Sequence, residues 1–290
     1  MRRYTIRPAD FVTVVSYFEA KELLRVIEKG GEEAEIRLDL GLRSGKVWID
    51  GDAIIVEGVE LTRDDLESMT EWKGAYGLTT GSIYKIEIRA EHYYKLLPVR
   101  PGEAPTIEID GIRMHRTKWT DPWTDAGVKV GRVGVSGGDR VLDICTGLGY
   151  TALRAVERGA DVISVEKDRN VLEIAGANPW SRGLERVNIL LGPAEEVVPS
   201  LDDEFDAIVH DPPRLARAGE LYSENFYREL LRLLRPGGRL VHYVGAPGSR
   251  YRGKDVLAGV SRRLTRVGFE VVDVDRKWGL ITAEKPSARV

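Results

Sequence analysis

The sequence predicts an α/β protein: a doubly wound, mostly parallel sheet, preceded by a small N-terminal α+β domain. Three observations carry this expectation. Short apolar runs alternate with helical patterns through residues 116–290, a two-glycine turn links the first run to its helix, and the first two runs end in carboxylates. The second carboxylate lies about 20 residues beyond the first strand, the spacing of ribose-binding α/β units. Such alternation needs helical crossovers, which cover both faces of a parallel sheet.

Residues 1–115 form the expected accessory domain. A helical pattern covers 20–29, alternation predicts a strand over 35–40, and a strand pair flanks the turn Asp50-Gly51-Asp52. Thr62 with Asp65 three residues later predicts a helix cap before Leu66. Residues 82–89 read as extended, and the proline-rich stretch 98–105 as the linker. Charge separates the parts: residues 1–115 hold 16 Lys+Arg against 21 Asp+Glu, a net −5, whereas 116–290 hold 27 against 25, a net +2.

The second domain, 116–290, opens on Lys118-Trp119-Thr120-Asp121-Pro122-Trp123. Thr120 or Asp121 can cap a helix with Pro122 in its first turn, and Trp119 and Trp123 either pack on the sheet or close over a ligand. Val141, Leu142 and Ile144 make the first strand; Gly147 and Gly149 then permit a tight turn and close approach of a ligand to the main chain. Helix 150–156 and strand 161–166 follow. Further strands are expected at 187–191, 205–210 and 238–244, with helices at 170–177, 223–234 and 255–267. Residues 269–275 and 278–284 read as a terminal antiparallel pair.

The segments around 141–152, 162–168, 210–214 and 233–243 resemble the class I S-adenosylmethionine (SAM)-dependent methyltransferases, a Rossmann-like fold, in order and spacing over roughly residues 116–286. Together with Thr120-Asp121-Pro122-Trp123 and Asn178-Pro179-Trp180-Ser181, they are similar to a group of archaeal predicted methyltransferases. The resemblance implies that SAM is the cofactor. Asp143, Thr146 and the backbone of Gly147 and Gly149 would hold its methionine end, and Glu166, next to Lys167, both ribose hydroxyls. Two departures stand out: Cys145 replaces the usual first glycine, and Pro193 occupies the place of an acid that meets adenine, leaving Ala194 or Glu195 for that contact.

Asp211-Pro212-Pro213-Arg214 ends the fourth strand, where open α/β sheets bind ligands. In the family, an Asp or Asn before two prolines and an aromatic marks enzymes that methylate planar amino groups. A carboxylate and a restricted carbonyl can accept N–H bonds and aim the amine lone pair at the methyl group. Asp211 would thus serve both cofactor and catalysis. Arg214, in place of the aromatic, can stack on a base. The same four residues resemble RNA uracil-5-methyltransferases, but that chemistry needs a cysteine nucleophile, and the only cysteine is Cys145 in the turn. The stretch 220–230 also resembles spermidine synthases, which carry two acids where this chain has Val209-His210-Asp211. The expected reaction is methyl transfer to an amino nitrogen on RNA, tRNA or rRNA; the alternatives are a small-molecule amine alkyltransferase and a non-catalytic SAM-binding regulator.

Arg250, Tyr251, Arg252 and Lys254 form an expected substrate loop, and residues 247–266 hold six Lys+Arg against one Asp. Such a patch suits phosphates, although the overall charge of −3 argues against nonspecific nucleic-acid binding. His210 can relay a proton or serve the fold. One cysteine and four scattered histidines make no metal cluster, and the absence of a long apolar run or a leader-like start makes a cytoplasmic, membrane-free protein the expectation. The oligomeric state is not readable from the sequence.

Overall fold

The computed structural model describes residues 2–245, 250–251 and 254–287. The chain divides into two compact units. One holds the described residues of Met1–Thr5, Thr124–Arg169 and Gly183–Val290; the other holds Ile6–Trp123 and Asn170–Arg182.

The first unit is built on an eight-stranded sheet. In chain order its strands are β1 (Arg2–Tyr4), β2 (Arg140–Ile144), β3 (Asp161–Glu166), β4 (Asn188–Leu191), β5 (Phe205–His210), β6 (Leu234–Tyr243), β7 (Glu270–Asp275) and β8 (Leu280–Glu284). Across the sheet they lie in the order β1-β4-β3-β2-β5-β6-β8-β7. The five from β4 to β6 are parallel, while β1 pairs antiparallel with β4 and β8 antiparallel with both β6 and β7. From β2 the chain builds outward in one direction to β4, then returns to add β5 on the other side. The switch point therefore lies between β2 and β5, and sheets of this kind take ligands at the C-terminal strand ends there.

Burial explains the strand sequences. Val141, Leu142, Asp143 and Ile144 are all fully buried, as a central parallel strand covered on both faces requires. Helices α1 (Pro122–Val133) and α2 (Tyr150–Val156) precede α3 (Glu224–Leu233) and α4 (Val256–Val267) in the chain, and Leu142, Ile208, Leu240 and Ile281 from the sheet share one core with Leu230 and Leu233 of α3 and Val260 and Leu264 of α4. The caps are local: Ser223 accepts the Phe226 N–H, Asp255 accepts the Ala258 N–H, and Gly268 ends α4 in the left-handed conformation. β1 gives no period of its own, being three residues long. Its place is set by pairing with β4 and by Arg3 Nε donating to Asn188 Oδ1 at 2.8 Å, contacts 185 residues apart.

The second unit contains three antiparallel sheets among the described residues, with helices Tyr17–Glu28 and Arg63–Trp72. Both helices start in capping boxes, Ser16 with Glu19 and Thr62 with Asp65. Leu23, Leu66 and Met69 pack with Ile36, Val47 and Ile54 of the sheet Glu33–Leu38, Arg43–Asp50, Ala53–Val56, Val59–Leu61. One expectation is corrected. Residues 98–105 are not an interdomain linker; they connect strands Tyr93–Leu97 and Thr106–Ile109, whose register pairs Leu97 with Thr106. The prolines there lie outside the ladder, where a missing N–H costs nothing. No helix among the described residues is long and apolar enough to cross a membrane.

Candidate active site

Asp143 sits at the end of β2 with no solvent exposure. Its Oδ2 accepts the Ser164 hydroxyl at 2.6 Å, and Ser164 Oγ lies 2.5 Å from Thr146 Oγ1, so two neighbouring strand ends share a hydroxyl relay. Its Oδ1 is buried and has no hydrogen-bond partner. An unpaired buried acceptor of this kind costs about 1–3 kcal/mol. Burial pushes the carboxyl up to about 6; the Ser164 and Thr151 hydroxyls oppose this, and the nearby charges of Asp211 and Glu166 add to it.

The turn after β2 is left-handed at Cys145, Gly147 and Gly149, with φ of 73°, 57° and 79°. Cys145 thus adopts the backbone conformation of the glycine it replaces, at a cost of about 1–2 kcal/mol for an L-residue. Gly149 is also sterically required, because an added Cβ would lie 2.4 Å from the Leu184 side chain. Glu166, at the end of β3, fastens this turn. Its Oε2 accepts the Gly147 N–H at 2.9 Å, and its Oε1 accepts the N–H groups of Lys167 at 2.9 Å and Asp168 at 3.0 Å. Burial raises its pKa while these three N–H donors lower it. The Lys167 side chain is exposed, and its contribution here is its main-chain N–H. Ala194 is buried in the core and Glu195 exposed, both on the single-turn helix Ala194–Val197.

Asp211 follows β5 and donates its own N–H to Ile144 O at 3.3 Å, joining the ends of β5 and β2. Its Oδ2 lies 2.6 Å from Lys129 Nζ, which also lies 2.7 Å from Asp125 Oδ2 and 4.6 Å from the centre of the Tyr243 ring. The Lys129 side chain is 8% exposed. Burial lowers the Lys129 pKa, but Asp211 and Asp125 outweigh it and hold the group above its ordinary value, charged. Sequence reasoning missed Asp125 and Lys129. A signal existed: Asp125, Ala126, Lys129, Val130 and Val133 form one helical face, all buried, so two charges lie on an apolar stripe.

The remaining sequence candidates fall in different places. Pro212 is buried, the Pro213 carbonyl accepts the Tyr222 hydroxyl at 2.9 Å, and Arg214 is exposed. His210 is fully buried, with Nε2 3.0 Å from Leu221 O. Burial pushes its pKa down to about 4, which leaves the ring neutral near pH 7. Burial raises the Cys145 thiol pKa well above its ordinary value, which disfavours the thiolate a nucleophile needs. Trp123 packs edge-on against Trp180, whose Nε1 donates to Leu40 O, whereas Trp119 is 83% exposed. Arg250–Tyr251 pairs antiparallel with Lys254–Asp255 in a short hairpin. Arg252 lies outside the described residues, as do the side chains of Arg250, Tyr251 and Lys254. Among the described residues no group of three His, Cys, Asp or Glu side chains could hold a metal ion.

A family model described as a methyltransferase domain matches residues 141–238, the run that carries Asp143, the glycine turn, Glu166 and Asp211. Over 95% of its length the chain is 44% identical to the uncharacterised protein MJ1233 of Methanocaldococcus jannaschii, covering 97% of that protein. The chain belongs to the class I SAM-dependent methyltransferases. This methyltransferase is also 31% identical over 63% of its length to the 23S rRNA (uracil(1939)-C(5))-methyltransferase RlmD of Pseudomonas aeruginosa, spanning 39% of that enzyme. The crystal structure of spermidine synthase from Thermotoga maritima shares the fold, with a TM-score of 0.53 and 19% identity over 69% of this chain and 72% of that one.

Proposed function

We propose that this methyltransferase transfers the methyl group of SAM to an amino nitrogen of structured RNA, with residues 116–290 performing the transfer and 1–115 as an accessory domain. The observation that carries the reading is Asp211 before Pro212-Pro213, paired with Lys129 and bonded through its main chain to β2, the strand of Asp143. Bound SAM supplies a methyl group already activated by its sulfonium. In this reading Asp211 accepts an amine N–H and turns the nitrogen lone pair toward that methyl, so catalysis rests on positioning. Arg214, exposed beside it, is available to stack on a base.

The residues present fit the cofactor. The unpartnered Asp143 Oδ1 is an acceptor for the ammonium of the methionine end. Thr146 supports it through Ser164, and Gly147 and Gly149 leave main chain accessible. Glu166 is the ribose acceptor; a carboxylate offers about four acceptor sites, and three N–H groups already use it. One of the two ribose hydroxyls expected on Glu166 can therefore be added without breaking a turn bond. The adenine contact falls to main chain near Ala194 or to Glu195.

The Asp143 environment sets a pH dependence. A carboxyl whose pKa is raised in the folded protein contributes stability at low pH that is lost as pH rises through about 6. An arriving ammonium needs the ionised form. Affinity for S-adenosylhomocysteine is therefore expected to be level above pH 7 and to fall toward tenfold per pH unit below about 6. Asp143→Asn should weaken binding and flatten the profile. Calorimetry from pH 5 to 8 checks this, and a level wild-type profile would remove Asp143 from the ammonium site.

RNA is supported by the rRNA-modifying relative and by the basic run 247–266. Nitrogen rather than carbon is supported by the Cys145 environment. Cytoplasmic RNA is the corresponding compartment. The test is labelled-methyl transfer to tRNA and rRNA from a strain lacking the gene, followed by nucleoside mass spectrometry. A base methylated on an amino nitrogen is expected; unlabelled RNA, or a carbon-methylated pyrimidine, would overturn the reading.

A further inference from the structure

Lys129 Nζ is enclosed by two carboxylates, Asp125 at 2.7 Å and Asp211 at 2.6 Å, with the Tyr243 ring centre 4.6 Å away. Opposed carboxylates beside an aromatic face are what captures an alkylammonium from water. Here the chain fills that position itself, with an ammonium on a stem anchored in α1. We propose that Lys129 is a built-in occupant of an ammonium site and thereby sets the substrate class: it excludes cationic alkylamines and leaves Asp211 to a neutral, planar amino group. The inference rests on the methyl-transfer reading above and deepens it.

The electrostatics favour this assignment. Lys129 cancels one of the two carboxylate charges, so a cation arriving at Asp211 meets a cluster of net −1 where the diacid alone would present −2. A substrate ammonium reaching Asp211 would meet the Lys129 charge on the same carboxylate oxygen and would have to shed its hydration. A neutral amine carries no such penalty; it needs only an acceptor, and the Asp211 side chain remains one-fifth exposed. Lys129 acts on the substrate through Asp211 and through its own charge, so it is a specificity-determining and positioning residue. Asp125, 5% exposed and one helical turn away, fixes where that charge stands.

The test uses methylammonium chloride and 1,4-diaminobutane as probes on the full chain. Lys129→Ala opens the volume of the stem and leaves the diacid. Lys129→Ala/Asp125→Asn opens the same volume but restores the wild-type net −1, which keeps the experiment sound if the single variant does not fold. Each is titrated by calorimetry and thermal unfolding against matched sodium chloride. Both variants are expected to bind methylammonium at least about tenfold more tightly than wild type, with a matching rise in melting temperature. Methyl transfer to 1,4-diaminobutane should rise in the variants relative to transfer to RNA. Equal probe response in wild type and in every folded variant would overturn the assignment. The methylammonium titration needs neither cofactor nor activity: if it succeeds while wild type methylates no RNA, the RNA reading fails and the ammonium-site assignment stands.

Discussion

Asp211→Ala is expected to lower methyl transfer by about 10²–10⁴ while leaving S-adenosylhomocysteine affinity unchanged. In the proposed reading the carboxylate is the acceptor that orients the amine, and its loss removes that alignment while Asp143 and Glu166 still hold the cofactor. Lys129 would keep Asp125 as a partner at 2.7 Å, so the substitution leaves no isolated buried ammonium and the fold should survive. Single-turnover transfer beside calorimetry separates the two quantities. Cys145→Ser, as the companion variant, should retain most activity, since the proposed transfer to nitrogen uses no thiol. Full turnover in Asp211→Ala would remove the residue from catalysis, and complete loss in a Cys145→Ser protein that still binds cofactor would restore cysteine chemistry.

Glu166→Gln is expected to weaken S-adenosylhomocysteine about 100-fold. The wild-type carboxylate takes three main-chain N–H groups from two turns. An amide has one acceptor oxygen, and its NH₂ would face one of those donors. Losing about two charge-assisted hydrogen bonds, each worth about 1.5 kcal/mol, gives a factor near 10². Because Gly147 is one of the N–H donors, the loss should reach the cofactor's methionine end as well as its ribose. Unchanged affinity in a folded variant would sink the ribose assignment.

Much of this architecture is legible residue by residue. β5 has the bounds its apolar run predicts, the cap at Thr62 is read from within one turn of sequence, and Ser223 and Asp255, expected as helix starts, cap α3 and α4. Asp143, Glu166 and Asp211 emerge because each ends a strand, and strand ends in a parallel sheet share one edge. β6 was expected from residue 238 and begins at Leu234, because Leu234 pairs with Phe205 across an irregularity in the ladder. Residues 98–105 look like a linker for the same reason that they make a hairpin connection: prolines mark where a ladder stops, not whether it resumes.

The sequence by itself determined the doubly wound class, the glycine turn and the three acidic strand ends, since period, turn chemistry and strand termination are written in neighbouring residues. Tertiary structure alone decided which charges meet. The helical stripe marks Lys129 as a charge on an apolar face, but only the fold brings it Asp211, 82 positions later after β5, and the Tyr243 ring of β6. The Asp143 relay likewise depends on Ser164 arriving from the adjacent strand. A buried charge is stable only beside its partner, and the partner's identity is set by strand order, which no local pattern contains.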